Sequence, residues 1–144
     1  GDRALSILRA TCSQGIKADT VSFNAVIDAF AANGDVGKAL SLLDEMSCNG
    51  RNTVPTPVTF NSVLKACARS GDVARADAVL EDMQNRQCSP DLISYNSAMC
   101  ACAKASDARR AQELRRDMQH RDLLPDLVSF NTILNACARG GDVA

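Results

Sequence analysis

Apolar residues recur along the chain at the spacing of an amphipathic α-helix. Phe60, Val63, Leu64 and Cys67 lie at positions i, i+3, i+4 and i+7, which form one face of a helix. Three more stripes share this spacing: Phe23/Val26/Ile27/Phe30, Tyr95/Ala98/Met99/Cys102 and Phe130/Ile133/Leu134/Cys137. A second set starts at alanine: Ala39/Leu42/Leu43/Met46, Ala76/Val79/Leu80/Met83 and Ala111/Leu114/Arg115/Met118. The pattern predicts an all-α chain built from pairs of helices.

Two further sequence markers repeat in the same register as these stripes. A string of the form Val-Ser/Thr-Phe/Tyr-Asn, with Ile in one copy, begins at residues 21, 58, 93 and 128, so successive copies are 37, 35 and 35 residues apart. A turn marker keeps step: Gly34-Asp35, Gly71-Asp72, Ser106-Asp107 and Gly141-Asp142. Glycine tolerates the positive φ that ends a helix, and aspartate accepts hydrogen bonds from the free amides that begin the next one. A fixed period of this length indicates an α-solenoid.

The register divides the chain into three whole units flanked by two half units. The predicted boundaries are 1–19 for a second helix, 20–56, 57–91 and 92–126 for whole units, and 127–144 for a first helix. Residues 47–57 are expected to form a longer loop, because the two extra residues of the first whole unit follow Met46. Both ends fall inside a unit and neither carries a polar capping helix, so we expect an interior segment of a longer array.

Composition narrows the classes of function. The 144 residues carry 16 Lys and Arg against 17 Asp and Glu, which excludes a uniformly basic nucleic-acid binder but leaves room for a local patch. Seven cysteines without a CxxC pair argue against a disulfide framework and a zinc site, and Cys67, Cys102 and Cys137 are expected to fill the core. The single histidine, His120, has no evident catalytic partner. We therefore expect no metal, no cofactor and no enzyme activity in this segment.

With these markers at fixed offsets, the whole chain resembles the pentatricopeptide-repeat family. Tetratricopeptide repeats are the nearest competitor, but they have a period of 34 residues and a Trp-containing signature, and this chain has no Trp. The resemblance implies a right-handed α-solenoid whose first helices line an inner groove. It also implies binding of single-stranded RNA, one base per repeat, in a mitochondrion or chloroplast.

The resemblance assigns roles to particular residues. The base-reading pairs would be Asn24 with Thr56, Asn61 with Asp91, and Asn96 with Asp126, while the partner of Asn131 would lie beyond residue 144. Asn with Asp favours uracil and Asn with Thr a pyrimidine, which gives the footprint pyrimidine-U-U. Bases would be sandwiched by Val21, Val58, Ile93 and Val128. The RNA backbone would face Arg69, Lys104 and Arg139, with Ala32 in the fourth such place.

Other interpretations remain open at this point. The recurring asparagines could merely support contacts between units, and the aromatic residues Phe23, Phe60, Tyr95 and Phe130 are expected in the core rather than as stacking platforms. Near-neutral charge, Ala32 and the long loop favour a protein-binding scaffold of a large organellar assembly, such as a ribosome or a membrane energy-conversion complex. A third possibility is the recognition arm of an enzyme whose catalytic domain lies elsewhere. The Arg-rich second helix after Asp107 is either a solvated outer face or a docking surface for phosphate or an acidic protein.

Overall fold

The computed structural model describes residues 2–15, 19–48 and 53–139, and these ranges consist of helices and short connections without a β-strand. They contain eight α-helices: α1 (Asp2–Ser13), α2 (Thr20–Ala32), α3 (Val36–Cys48), α4 (Pro57–Ser70), α5 (Val73–Asn85), α6 (Leu92–Lys104), α7 (Ala108–His120) and α8 (Leu127–Arg139). The all-α repeat architecture predicted from the apolar spacing is confirmed. The boundaries between sequence units stay a prediction.

The helices stack in two rows. The first helices α2, α4, α6 and α8 pack directly on one another in chain order. The second helices α3, α5 and α7 each contact the first helix of their own pair and the first helix of the next pair. Because the first helices are packed closely and the second helices are spread apart, the row of first helices forms the inner side of the solenoid. Among the described residues, no helix is both long and apolar enough to cross a membrane.

The predicted apolar stripes form one continuous core. Phe60, Val63, Leu64 and Cys67 of α4 are completely buried, as are Ala39 and Met46 of the second-helix stripe. Burial raises the pKa of the Cys67 thiol to about 12, and it does the same for Cys102, so both thiols stay protonated at neutral pH. These two cysteines therefore act as small apolar side chains.

The predicted turns are present between paired helices. Gly34 and Gly71 have φ values of 71° and 73°, and Ser106 takes the same left-handed conformation with φ of 60°. After each turn an aspartate carboxylate accepts from the backbone N–H three residues later, as in Asp72 to Arg75 at 3.1 Å. Asp35 and Asp107 form the equivalent N-caps of α3 and α7. The fourth predicted turn, Gly141-Asp142, lies outside the described residues.

The last stripe departs from the prediction. Phe130 is 47% exposed and Leu134 is 66% exposed, although both were expected in the core. They lie on α8, which packs within the described residues mainly against α6 and α7. The physical reason is that a first helix of this fold buries one stripe against a following unit. The described residues leave much of that side of α8 exposed.

Candidate nucleic-acid interface

The four recurring asparagines each lie at the fourth position of the repeated string and at the fifth residue of their helix, near the start of α2, α4, α6 and α8. Asn61 is buried with 9% of its surface exposed, Asn24 and Asn96 are half-buried, and Asn131 is exposed. The side chains of Asn24, Asn61 and Asn96 each bond to the start of the next first helix. The candidate site is therefore shared between neighbouring units.

Asn61 is held on both edges of its amide. Its Nδ2 donates to Oδ1 of Asp91 at 3.4 Å, and its Oδ1 accepts from the hydroxyl of Ser94 at 2.6 Å. Asp91 is also the N-cap of α6, because its carboxylate accepts from the backbone N–H of Ser94 at 2.9 Å. An ionised carboxylate only accepts hydrogen bonds, so the amide must turn its nitrogen towards Asp91 and its oxygen towards Ser94.

Asn96 repeats this arrangement one unit later. Its Nδ2 donates to Oδ1 of Asp126 at 3.3 Å, and its Oδ1 accepts from the hydroxyl of Ser129 at 2.5 Å. The backbone N–H of Ser129 donates to Asp126 at 2.9 Å. Hydrogen bonds from the backbone and the hydroxyl of Ser129 lower the pKa of Asp126 below its ordinary value, so the carboxyl is ionised at neutral pH.

Asn24 is held on one edge. Its Oδ1 accepts from the hydroxyl of Thr59 at 2.6 Å, while the described part of the chain offers no hydrogen-bond acceptor to its Nδ2. Thr56, which takes the place of the aspartate, instead lies 3.3 Å from the Thr59 hydroxyl, oxygen to oxygen. The amide of Asn24 is consequently less fixed than those of Asn61 and Asn96.

The hydroxyl residues Thr59, Ser94 and Ser129 were not identified as functional from the sequence. Each occupies the third position of its helix, and each is completely buried. A signal was available, because an aspartate followed three residues later by serine, as in Asp91 and Ser94, is the spacing of a reciprocal helix cap.

The residues predicted to sandwich bases form an exposed aliphatic row along the inner side. Val21, Val58, Ile93 and Val128 are between 54% and 74% exposed, although aliphatic side chains are usually buried in a fold of this kind. A cavity of about 460 Å³ is lined by Ile93, Val128 and Asn96. The structure therefore brings two sandwich positions and one predicted base-reading residue into one concavity.

Basic side chains surround this cavity on the side of the preceding unit. Lys65 and Arg69 of α4 contribute to the lining of the cavity at Asn96. A second cavity of about 300 Å³ continues along the groove and is lined by Lys104 and Arg139. The ammonium of Lys104 also donates to the backbone carbonyl of Arg69. The three predicted backbone contacts thus follow one groove, and their role stays a prediction.

The groove lacks basic side chains at the corresponding positions of its first unit. Asp28 and Ala32 of α2 occupy the repeat positions that Lys65 and Arg69 hold in α4, and both are exposed. The described residues contain no group of three or more His, Cys, Asp or Glu side chains placed to hold a metal ion. The groove therefore offers amide, aliphatic and cationic groups in its second half, and a carboxylate at its beginning.

The Arg-rich helix α7 lies in the outer row, and one of its arginines has a structural partner. Arg110 makes a bidentate contact to Asp77 of α5 through Nε at 3.0 Å and Nη2 at 2.9 Å, and its Nη1 bonds to Glu113 at 2.8 Å. Hydrogen bonding to Asp77 raises the pKa of Arg110 further above its ordinary value. Arg110 thereby links two second helices, a role that neither sequence-based interpretation of this helix included.

The sequence matches models of known protein families. Residues 55–104 and 90–139 match the PPR repeat family, and residues 6–69 match the pentatricopeptide repeat domain. The chain belongs to the pentatricopeptide-repeat family. A comparison with curated proteins gave no match.

Solved structures of pentatricopeptide-repeat proteins share the fold. The maize protein PPR10 is 19% identical with a TM-score of 0.85, over 98% of this chain and 20% of that one. PPR10 in complex with an 18-nt psaJ RNA element is 24% identical with a TM-score of 0.78, over 90% of this chain and 19% of that one. The PPR domain of Arabidopsis thaliana protein-only RNase P 1 in complex with tRNA is 17% identical with a TM-score of 0.79, over 97% of this chain and 73% of that one. The chain therefore spans about a fifth of the length of the maize protein.

Proposed function

We propose that this pentatricopeptide-repeat segment binds single-stranded RNA and selects its sequence, as part of a protein of organellar RNA metabolism in a mitochondrion or chloroplast. RNA processing, stability, editing and translation all fall within this proposal. The observation that carries it is the asparagine amide held in one orientation beside a cavity with aliphatic walls and basic residues. The RNA complexes of the maize and Arabidopsis structures support the same assignment.

The orientation of the amide supports a preference for uracil. With one N–H given to Asp91 and one lone pair given to Ser94, Asn61 keeps one donor and one acceptor for a base. Uracil offers N3–H beside a carbonyl oxygen and therefore complements this order. Cytosine reverses the donor and the acceptor, because its N3 accepts where N3–H of uracil donates and its exocyclic amine donates where O4 of uracil accepts. To pair with cytosine, Asn61 would have to turn its oxygen towards the carboxylate of Asp91. Guanine presents a ring N–H beside a carbonyl oxygen, as uracil does, so these hydrogen bonds do not exclude it. Its exclusion must come from its larger ring system, which would have to fit between the aliphatic side chains.

The three complete pairs then define a footprint of pyrimidine, uracil and uracil. Asn61 and Asn96 with their aspartates select uracil, whereas Asn24 beside Thr56 has no carboxylate to fix its nitrogen and accepts either pyrimidine. If each base contributes roughly 1–3 kcal/mol, three bases contribute roughly 3–9 kcal/mol before the cost of association. We expect a dissociation constant between about 1 mM and 1 μM.

The test is fluorescence anisotropy with RNAs that contain UUU or AAA at two salt concentrations. The chain is placed between polar capping repeats, because Phe130 and Leu134 are exposed on α8. Preference for UUU, weakening modestly with salt, supports the proposal. Equal binding of both RNAs, or no binding, contradicts it. The double change Asn61→Ser with Asp91→Asn is expected to move the second base away from uracil while helicity is retained, because asparagine also caps helices.

A protein-binding scaffold in a large organellar assembly is the second candidate function. The net charge of −1 and the exposed Asp28 and Ala32 at the start of the groove favour it, since neither attracts phosphate. In both proposals the chain is a binding module, and any catalytic domain would lie outside it. Undetectable RNA binding together with capture of a protein subunit on the inner groove would decide for the scaffold.

A further inference from the structure

We infer that the buried hydroxyl at the third position of each first helix orients the asparagine amide of the preceding unit, and thereby helps to set which pyrimidine that unit accepts. The residues are Thr59 for Asn24, Ser94 for Asn61 and Ser129 for Asn96. The inference rests on the proposed RNA-binding function. It adds a third side chain to each pair of base-selecting residues.

The hydroxyl contacts are the shortest bonds that each amide makes. The hydroxyl oxygens lie 2.6, 2.6 and 2.5 Å from Oδ1 of Asn24, Asn61 and Asn96. The contacts from Nδ2 to the aspartates are 3.4 Å for Asn61 and 3.3 Å for Asn96, beyond the usual range for N–H···O bonds. The hydroxyl therefore makes the shorter contact with the amide and the carboxylate the longer one, and each of them holds a different edge of the amide.

The surroundings of Ser94 determine the direction of its hydrogen bond. Its hydroxyl oxygen accepts from the backbone N–H of Asp91 at 3.1 Å, and its single proton remains for donation. Oδ1 of Asn61 at 2.6 Å is closer than Oδ1 of Asp91 at 2.9 Å. Ser94 is completely buried, so water does not compete for this proton. The hydroxyl consequently donates to the nearer acceptor, and of the two polar atoms of the Asn61 amide only the oxygen can accept this proton.

The chain contains a matched control for this role. Ser22 occupies the third position of α2, and its backbone N–H and hydroxyl both donate to Oδ1 of Asp19 at 2.9 Å. Among the described residues, no asparagine side chain bonds to this cap. Removing the hydroxyl of Ser22 therefore disturbs the same kind of helix cap without touching an asparagine of the groove.

Thr59 shows which substitution retains the function. In α4 a threonine hydroxyl makes the same contact to Asn24 that serine makes in α6 and α8. Ser94→Thr is thus expected to preserve the orientation of Asn61, whereas Ser94→Ala leaves only the longer contact with Asp91 to hold the amide. Comparing the two variants separates the effect of losing the hydroxyl from the effect of changing any side chain at this position of the helix.

The experiment compares Ser94→Ala, Ser94→Thr and Ser22→Ala in the protein used for the RNA-binding assay, with RNAs that differ only in U or C at the second nucleotide. Loss of one hydrogen bond is expected to lower the U-to-C affinity ratio of Ser94→Ala about threefold to tenfold. Ser94→Thr and Ser22→Ala should keep the wild-type ratio. Equal weakening of both RNAs by Ser94→Ala, or an altered ratio in Ser22→Ala, would overturn the inference.

A second measurement separates this inference from the proposed function. The side-chain amide NMR signals of Asn61 in the RNA-free protein are expected to move towards those of a solvated asparagine in Ser94→Ala, but not in Ser94→Thr. An unmoved signal in Ser94→Ala would overturn the inference and leave RNA binding untouched. A moved signal in a protein that shows no preference among RNAs would overturn the proposed function and the selectivity that depends on it.

Discussion

Replacing Thr56 with aspartate is expected to convert the first unit from a pyrimidine site into a uracil site. Thr56 precedes α4 at the position that Asp91 and Asp126 hold before α6 and α8. Aspartate is a good N-cap, so Thr56→Asp should leave the stability of α4 within a few tenths of a kcal/mol. Its carboxylate would lie where the two existing aspartates accept from Nδ2 of the preceding asparagine. Asn24 would then be held on both edges.

The magnitude follows from the two existing pairs. A hydrogen bond to a charged group contributes about 1.5–3 kcal/mol. The Nδ2 to Oδ1 distances of 3.4 and 3.3 Å are long for such a bond, so we take about 1.5 kcal/mol as the largest contribution of this contact. We expect about 0.5–1.5 kcal/mol in favour of uracil over cytosine at the first nucleotide, which is about twofold to tenfold. The added negative charge should lower the affinity for both RNAs together. The U-to-C ratio is therefore the quantity to measure.

The assay is anisotropy with RNAs that differ only in the first nucleotide. The reciprocal change, Asp91→Thr, is the matched control, because it should reduce the uracil preference at the second nucleotide and leave the first unchanged. A rise in the ratio for Thr56→Asp at the wrong nucleotide would contradict the alignment of units with bases. No change in either variant would refute the reasoning that the carboxylate fixes the amide.

Four further outcomes can be measured. Cys67→Ala should lower the free energy of unfolding by about 1–2 kcal/mol in a urea titration and leave RNA affinity unchanged, because Cys67 is fully buried. Ser106→Gly should raise that free energy by about 1 kcal/mol, because Ser106 has φ of 60°, while Gly34→Ser at φ of 71° should lower it. Asp28→Lys should strengthen RNA binding and steepen the logarithmic salt dependence by about 0.7, the value for one added phosphate contact. The pKa of Asp126 is lower in the folded protein than in the unfolded chain, so its ionised carboxylate stabilises the fold. This stabilisation is fully present at pH values above the pKa of the unfolded chain, and it is lost as the pH falls through the lower pKa of the folded protein. Asp126→Asn, which still caps α8, should reduce this acid sensitivity of the melting temperature.

The sequence predicts the helices well because each stripe is a local property. The buried faces of α2, α4 and α6 follow directly from the i, i+3, i+4 and i+7 spacing. The stripe of α8 was only partly right, since burial of Phe130 and Leu134 depends on a neighbour rather than on the helix itself. Spacing identifies the face of a helix that is apolar, and only the surrounding chain decides whether that face is covered.

The candidate site was less accessible to sequence reasoning. The pairs of Asn61 with Asp91 and Asn96 with Asp126 came from family resemblance, and in the structure the amide nitrogen lies 3.4 and 3.3 Å from the carboxylate oxygen of its partner. The contact of Arg110 with Asp77 joins residues 33 positions apart on different second helices. Its prediction requires the spacing between stacked units, which no local pattern contains. The contact between Ser94 and Asn61 could not be predicted from the repeated string, in which the serine is only a repeat marker.

Helix capping and the proposed base selection use the same atoms, and this explains why one unit alone would be an incomplete site. Oδ1 of Asp91 accepts from the backbone of its own helix at 2.9 Å and from Asn61 of the preceding unit at 3.4 Å. The first distance is fixed by the cap, whereas the second depends on how closely two units are stacked. Any change in the spacing of the solenoid therefore alters the contact between Asn61 and Asp91 before it alters the helices. Because a contact at 3.4 Å weakens quickly with distance, the proposed selectivity of each unit would depend on the packing of its neighbour.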